Sequence, residues 1–169
     1  WKRIRPIVSN YKHPFKRFQN VSCRILLFLL AAIDWKHLNA FRITEMTSKM
    51  KRFSEMIVKT GITLCAKVGD IKNAYTELLH DAIITSLKAL FQRFWELNPE
   101  VKFLHVRKRG SNGVGLHKHA DTHTYYNIPI KAVLDFVIFN LQHGYLTCMG
   151  ILLIQIIGIG QGDAISPAI

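Results

Sequence analysis

Three groups of residues in this chain have types and spacings that could do chemistry. Asp70 lies near the end of the segment Gly61 to Ile71, where Ile62, Leu64, Ala66 and Val68 alternate with Thr63, Cys65, Lys67 and Gly69. That is the period-two pattern of a strand with one covered face. Magnesium takes hard oxygen ligands, so a carboxylate at a rigid strand end is a natural anchor for it; a turn or a helix cap is the plainer role for an Asp there. Arg107-Lys108-Arg109-Gly110-Ser111-Asn112-Gly113-Val114-Gly115 combines positive charge with glycine. It could meet phosphate through side chains and backbone, but it lacks the lysine-serine ending of a phosphate-binding loop, and a solvated loop is the plainer reading. In Gly158-Ile159-Gly160-Gln161-Gly162 the glycines free the backbone for a tight turn and for close approach by a ligand.

Other reactive side chains are less organised. His117, His119 and His123 lie close together with Asp121 but with no adjacent Cys, a poor match to metal-ligand spacing. Cys23, Cys65 and Cys148 are odd in number and widely separated, which gives neither a disulfide framework nor a zinc pattern and fits buried thiols in a reducing, intracellular compartment. The longest apolar run, Ile25 to Ile33, has nine residues, against the roughly 20 that a membrane-spanning helix needs. The sequence therefore predicts no membrane partner.

The 169 residues carry 23 Lys plus Arg against 11 Asp plus Glu, a net charge of +12, and 49% are hydrophobic. Such a composition excludes whole-chain disorder and allows an ordinary core. The charge is uneven. Residues 1–60 hold 13 Lys or Arg against Asp34, Glu45 and Glu55, whereas residues 132–169 have no Lys or Arg. The front reads as a cationic surface suited to a polyanion, most often nucleic acid, and the back reads as core.

Elements that could position the three groups are legible. Pro6 and the Ile7-Val8 pair make residues 5–8 extended. Asn20 to Ile33 is nearly continuously apolar and predicts a buried helix. Lys36 to Lys59 predicts a second, with Met46, Met50, Phe53 and Ile57 as a stripe expected to pack in a core. Asp81 can cap a third, whose apolar positions Ile83, Ile84, Leu87, Leu90, Phe91 and Phe94 run to the stop at Asn98-Pro99. Val101 to Val106 predicts a strand, Ile130 to Gln142 a helix, and Tyr145 to Ile159 a hairpin broken at Gly150. Ser166-Pro167-Ala168-Ile169 reads as a turn leading into a further helix.

At this level the residues resemble a known family. Asp70-Ile71-Lys72-Asn73-Ala74-Tyr75 looks like the first catalytic motif of reverse transcriptases. Gln161-Gly162 followed by Ser166-Pro167-Ala168-Ile169 looks like their second, and Arg5-Pro6-Ile7 like the fingers segment ahead of both. Gln155-x-x-Gly158 resembles the approach strand of retroelement members, and Thr76-Glu77-Leu78-Leu79-His80 resembles their Thr-Glu-Leu-Pro-His segment with Leu79 in place of proline. Further departures are Gly69 ahead of Asp70, where a larger apolar residue is usual, and Gly160 where proline is common. The blocks occur in the family's order and are scattered over nearly the whole chain.

The resemblance implies an α+β, right-hand polymerase architecture: a fingers-like basic segment over 1–60 and a partial palm over 61–169, with the basic Gly-rich loop at 107–116. The palm sheet would be mixed or antiparallel and backed by helices. It also implies RNA-directed DNA synthesis by two-metal nucleotidyl transfer, with two Mg²⁺ ions, an RNA template, a DNA primer and deoxynucleoside triphosphates. Asp70 would bridge both ions, helped by the Ile71 carbonyl. Tyr75 would lie under the incoming sugar and exclude a 2′-hydroxyl. Arg5 would grip the triphosphate with its fork of donors, and Asn73 and Ala74 would offer backbone amides to phosphate oxygens. Gln161 would pack against base and sugar while Gly162 lets the backbone pass. Lys2, Arg3, Arg107, Lys108 and Arg109 would contact nucleic acid.

The family's third motif, a hairpin with paired aspartates, would follow Ile169, so a C-terminally truncated fragment is expected, one that binds nucleic acid weakly and polymerises nothing alone. The alternatives are a non-catalytic RNA-binding remnant of a decayed retroelement and an RNA-dependent RNA polymerase.

Overall fold

The computed structural model describes residues 13–33, 43–62, 74–109, 113–116, 121–160 and 164–168. It is α+β. The chain divides into two compact units, one of residues 1–34 with 73–169 and one of residues 35–72.

In the larger unit, helix α1 (Lys16–Ala32) starts four residues before the expected boundary. Phe15, its N-cap, has no side-chain acceptor for the free backbone N–H groups of the first turn. The start of α1 is instead fixed by aromatic packing on a later helix: Phe15 and Phe18 meet Phe136 edge-on at 6.0 and 4.4 Å between centroids. Ile25, Leu26 and Leu29 are fully buried, each burial stabilising by about 1.5–3 kcal/mol.

The second helix of this unit (His80–Leu97) buries Ile83, Leu87, Leu90, Phe91 and Phe94 at the expected helical spacing. Asp81 is not its cap. Leu79 takes the N-cap position and Asp81 falls in the first turn, where a carboxylate still favours the positive helix end. Asn98 closes the helix, its backbone N–H and its side-chain amide both donating to the Phe94 carbonyl, and Pro99 blocks continuation. A short helical turn, Ala74–Glu77, precedes it.

Three strands follow: β1 (Phe103–Arg107), β2 (Val114–Gly115) and β3 (Tyr125–Pro129), in the spatial order β2-β1-β3 and all antiparallel. The expected loop over 107–116 is therefore partly a hairpin, with Val106 opposite Val114. Leu104 and Val106 point into the core, where Ile128 and Val114 join them. The helix Ile130–Gln142 leaves β3 directly at Pro129, whose φ of −59° suits a helix start. It buries Ile130, Val133, Val137 and Leu141. Helices and sheet thus share one core, which also takes in Ile159, Ile165 and Ala168.

The hairpin expected over 145–159 is made of β4 (Tyr145–Cys148) and β5 (Ile151–Ile154). Met149 and Gly150 both have positive φ, 50° and 79°, as the two-residue turn that matches strand twist requires. Its side chains contradict the expectation that the back of the chain is all core. Ile151, Leu152, Leu153 and Ile154 are all exposed, because an isolated two-stranded ribbon has two faces and no described layer covers either. Cys148 is likewise exposed, whereas Cys23 is buried. Ser166–Ala168 is a single 3-10 turn.

In the smaller unit the described element is the helix Ile43–Thr60, inside the expected 36–59 stretch and one residue past its end. Met46, Met50 and Phe53 are about half exposed, at 56%, 61% and 51%, so the stripe does not pack in a core. Apolar periodicity marks a face of the helix, and no described residue covers that face. Of the strand expected over 61–71, Gly61 and Ile62 are described and lie outside any strand. Among the described residues no helix is long and apolar enough to cross a membrane.

Candidate functional site

Most of the residues that the resemblance singles out, Lys2, Arg3, Arg5, Asp70, Ile71, Asn73, Gln161 and Gly162, lie outside the described residues. Ala74 and Tyr75 are described as backbone only, at the start of the short helix Ala74–Glu77. Arg107, Lys108 and Arg109 are described and exposed.

The described residues include the immediate flank of each motif. The Gly158 backbone N–H donates to the Leu78 carbonyl at 2.8 Å. His80 Nε2 donates back to the Gly158 carbonyl at 2.7 Å. The segment that follows Tyr75 by three residues is thereby tied to the one that precedes Gln161 by three. Gly158 is buried with φ of 77°, a conformation that a side chain would strain. His80 sits at the first turn of the His80–Leu97 helix, whose buried face anchors it to the core. Spacing could not have revealed this role of His80; the weak signal was its place in Thr76-Glu77-Leu78-Leu79-His80.

Beside the tie lies a cavity of about 60 Å³, lined by His13, Gln19, His80, His143, Tyr145 and Gly160 among others. Gln19 is 1% exposed. Its Nε2 donates to Asn140 Oδ1 at 3.1 Å, while its Oε1 has no partner among the described residues. A polar pocket of this size admits ordered water. His80→Ala removes the donor to a part-buried carbonyl and should cost about 1–3 kcal/mol, read as a lower urea midpoint at unchanged slope.

The basic loop is held at both ends. Arg24, from α1, donates to the Arg107 and Gly113 carbonyls at 3.1 and 3.5 Å. Lys108 Nζ donates to the Thr122 carbonyl at 2.6 Å and lies 5.2 Å from the centre of the Tyr126 ring. Asp121 accepts from the His123 backbone N–H and from the Thr124 hydroxyl, and these bonds hold its carboxyl below the usual carboxylate pKa. Asp121 and His123 therefore serve a local turn, and His117 and His119 lie outside the described residues.

The expected magnesium donors, the Asp70 carboxylate and the Ile71 carbonyl, are hard oxygens, suited in kind to that ion. Among the described residues no group of three or more His, Cys, Asp or Glu could hold a metal ion. Comparison of the chain with family models, with curated proteins and with solved structures gives no match.

Proposed function

We propose that the chain supplies the fingers and part of the palm of a retroelement-type, RNA-directed DNA polymerase. The observation that carries this reading is the reciprocal tie between Leu78, His80 and Gly158. It supports the reading because the two motifs must meet at one nucleotide, and the tie joins their flanks even though the motifs are roughly ninety residues apart. Further support comes from the α+β arrangement, with helices backing antiparallel strands, and from the +12 net charge.

In this reading Arg5 grips the triphosphate, and the Asn73 and Ala74 amides meet its oxygens. Gln161 packs against the base and sugar, Gly162 lets the backbone pass, and Tyr75 closes the space under the sugar. Asp70 and the Ile71 carbonyl hold magnesium, which when bound stabilises charge on the attacking and leaving oxygens of the transfer. Lys2 and Arg3 contact the nucleic acid.

Primer extension by the full-length protein on an RNA template tests the reading, with deoxynucleotides and ribonucleotides compared. Extension with deoxynucleotides is expected, and indifference to the sugar would point to an RNA-dependent RNA polymerase instead. Absence of extension alongside retained RNA binding would favour the non-catalytic remnant. Tyr75→Val should admit ribonucleotides, lowering sugar discrimination by about tenfold to a hundredfold, the scale on which a filled pocket rejects a slightly larger ligand. Unchanged discrimination would count against a steric filter.

A further inference from the structure

We infer that the outer face of the three-stranded sheet β2-β1-β3 is a docking platform for single-stranded RNA. Leu104 and Val106 enter the core, and strand alternation puts Phe103, His105 and Arg107 on the opposite face, where Phe103 and Arg107 are exposed and His105 is buried between them. Register fixes their neighbours on that face, with Phe103 opposite Pro129, His105 between Asn127 and Gly115, and Arg107 opposite Tyr125.

The composition of this face is specific. Phe103 is 49% exposed, an aromatic ring in solvent on a sheet whose other face is well packed. Tyr125, half-buried, lies at the far corner, about 14 Å away for four residues of strand. Between the rings, His105 is 8% exposed and its Nδ1 is 2.6 Å from Asn127 Oδ1, forming a rigid floor. Arg107 and Arg109 are exposed at the Tyr125 end and form no ion pair with a carboxylate among the described residues.

An exposed aromatic ring on a sheet face with cations at the far end matches the two needs of a single strand. An unpaired base stacks on Phe103, and the backbone phosphates meet the arginines. A duplex hides its base faces and gains nothing from Phe103. The choice of RNA over DNA rests on the polymerase reading, in which the template is RNA; the platform itself does not require catalysis.

Fluorescence anisotropy with a short labelled oligoadenylate RNA tests the proposal, alongside a DNA oligomer of the same sequence and an RNA duplex. Phe103→Ala should weaken the single-stranded RNA about tenfold at fixed salt, with the slope of log affinity against log salt unchanged. Phe103→Tyr should restore binding. Arg107→Gln with Arg109→Gln should instead reduce that slope, by about 0.7 for each phosphate no longer neutralised. Equal binding by wild type and Phe103→Ala, with matching thermal melts, would overturn the platform, and so would a duplex that binds as tightly as the single strand. DNA binding equal to RNA would overturn the RNA assignment. The readout is binding without nucleotides, so a chain that binds in this pattern yet extends no primer would sink the polymerase reading and leave the platform standing.

Discussion

Asp70→Asn should lower primer extension by the full-length protein about a thousandfold or more while leaving RNA affinity within about twofold. The substitution keeps the size and shape of the side chain and removes the charge, and a neutral amide oxygen is a poor ligand for a hard divalent ion. In the proposed reaction several kcal/mol of transition-state stabilisation would depend on that ion, and each 1.36 kcal/mol is tenfold in rate. Template affinity comes mainly from Lys and Arg meeting phosphates, and Asn leaves those side chains in place. Parallel measurement of extension and of filter binding separates the two effects. Substantial residual extension would put the metal anchor at another residue, and joint loss of binding and extension, with a lowered melting temperature, would mean that Asp70 holds the fold instead.

The fold was most legible where one signal dominated. In residues 130–142 the apolar positions, the preceding Pro129 and the polar Gln142-His143 end agree, and the helix has the expected bounds. The hairpin was given away by Gly150 between β-branched and large apolar runs, and its turn is at Met149-Gly150. Less legible was anything that depends on a partner surface. Met46, Met50 and Phe53 have the same periodicity as Ile83, Leu87 and Phe91, yet the first set is exposed and the second buried, because periodicity reports a face of a helix and burial needs a second element. Asp81 has the type of a cap but lies two positions too late, since the His80–Leu97 helix starts where Leu79 turns extended. As to the candidate site, the motifs were readable as strings, whereas the bond from His80 to Gly158 was not, because it spans 78 residues of chain.

That same contrast between two helices gives the largest stability prediction. Phe91→Ala should destabilise the protein by about 3–5 kcal/mol, the range for removing a fully buried phenylalanine. Phe91 has 0% exposure, and its ring meets Trp95 edge-on at 6.0 Å between centroids, so deletion leaves a cavity on the face of the helix that packs against α1 and the helix Ile130–Gln142. Against a typical stability of about 5–15 kcal/mol, the loss is roughly a fifth or more of the total. Chemical denaturation should show a lower midpoint at unchanged slope. Phe53→Ala, at 51% exposure, should by comparison cost about 0.5 kcal/mol or less. If the two substitutions cost the same, the helix Ile43–Thr60 has a partner that covers its stripe in solution. The Phe91 cavity should also reach the candidate site, because His80 opens the helix on which Phe91 sits. In the Phe91→Ala protein the Gly158 amide should therefore exchange with solvent faster than in wild type, by the factor set by the lost stability where that amide exchanges by global unfolding.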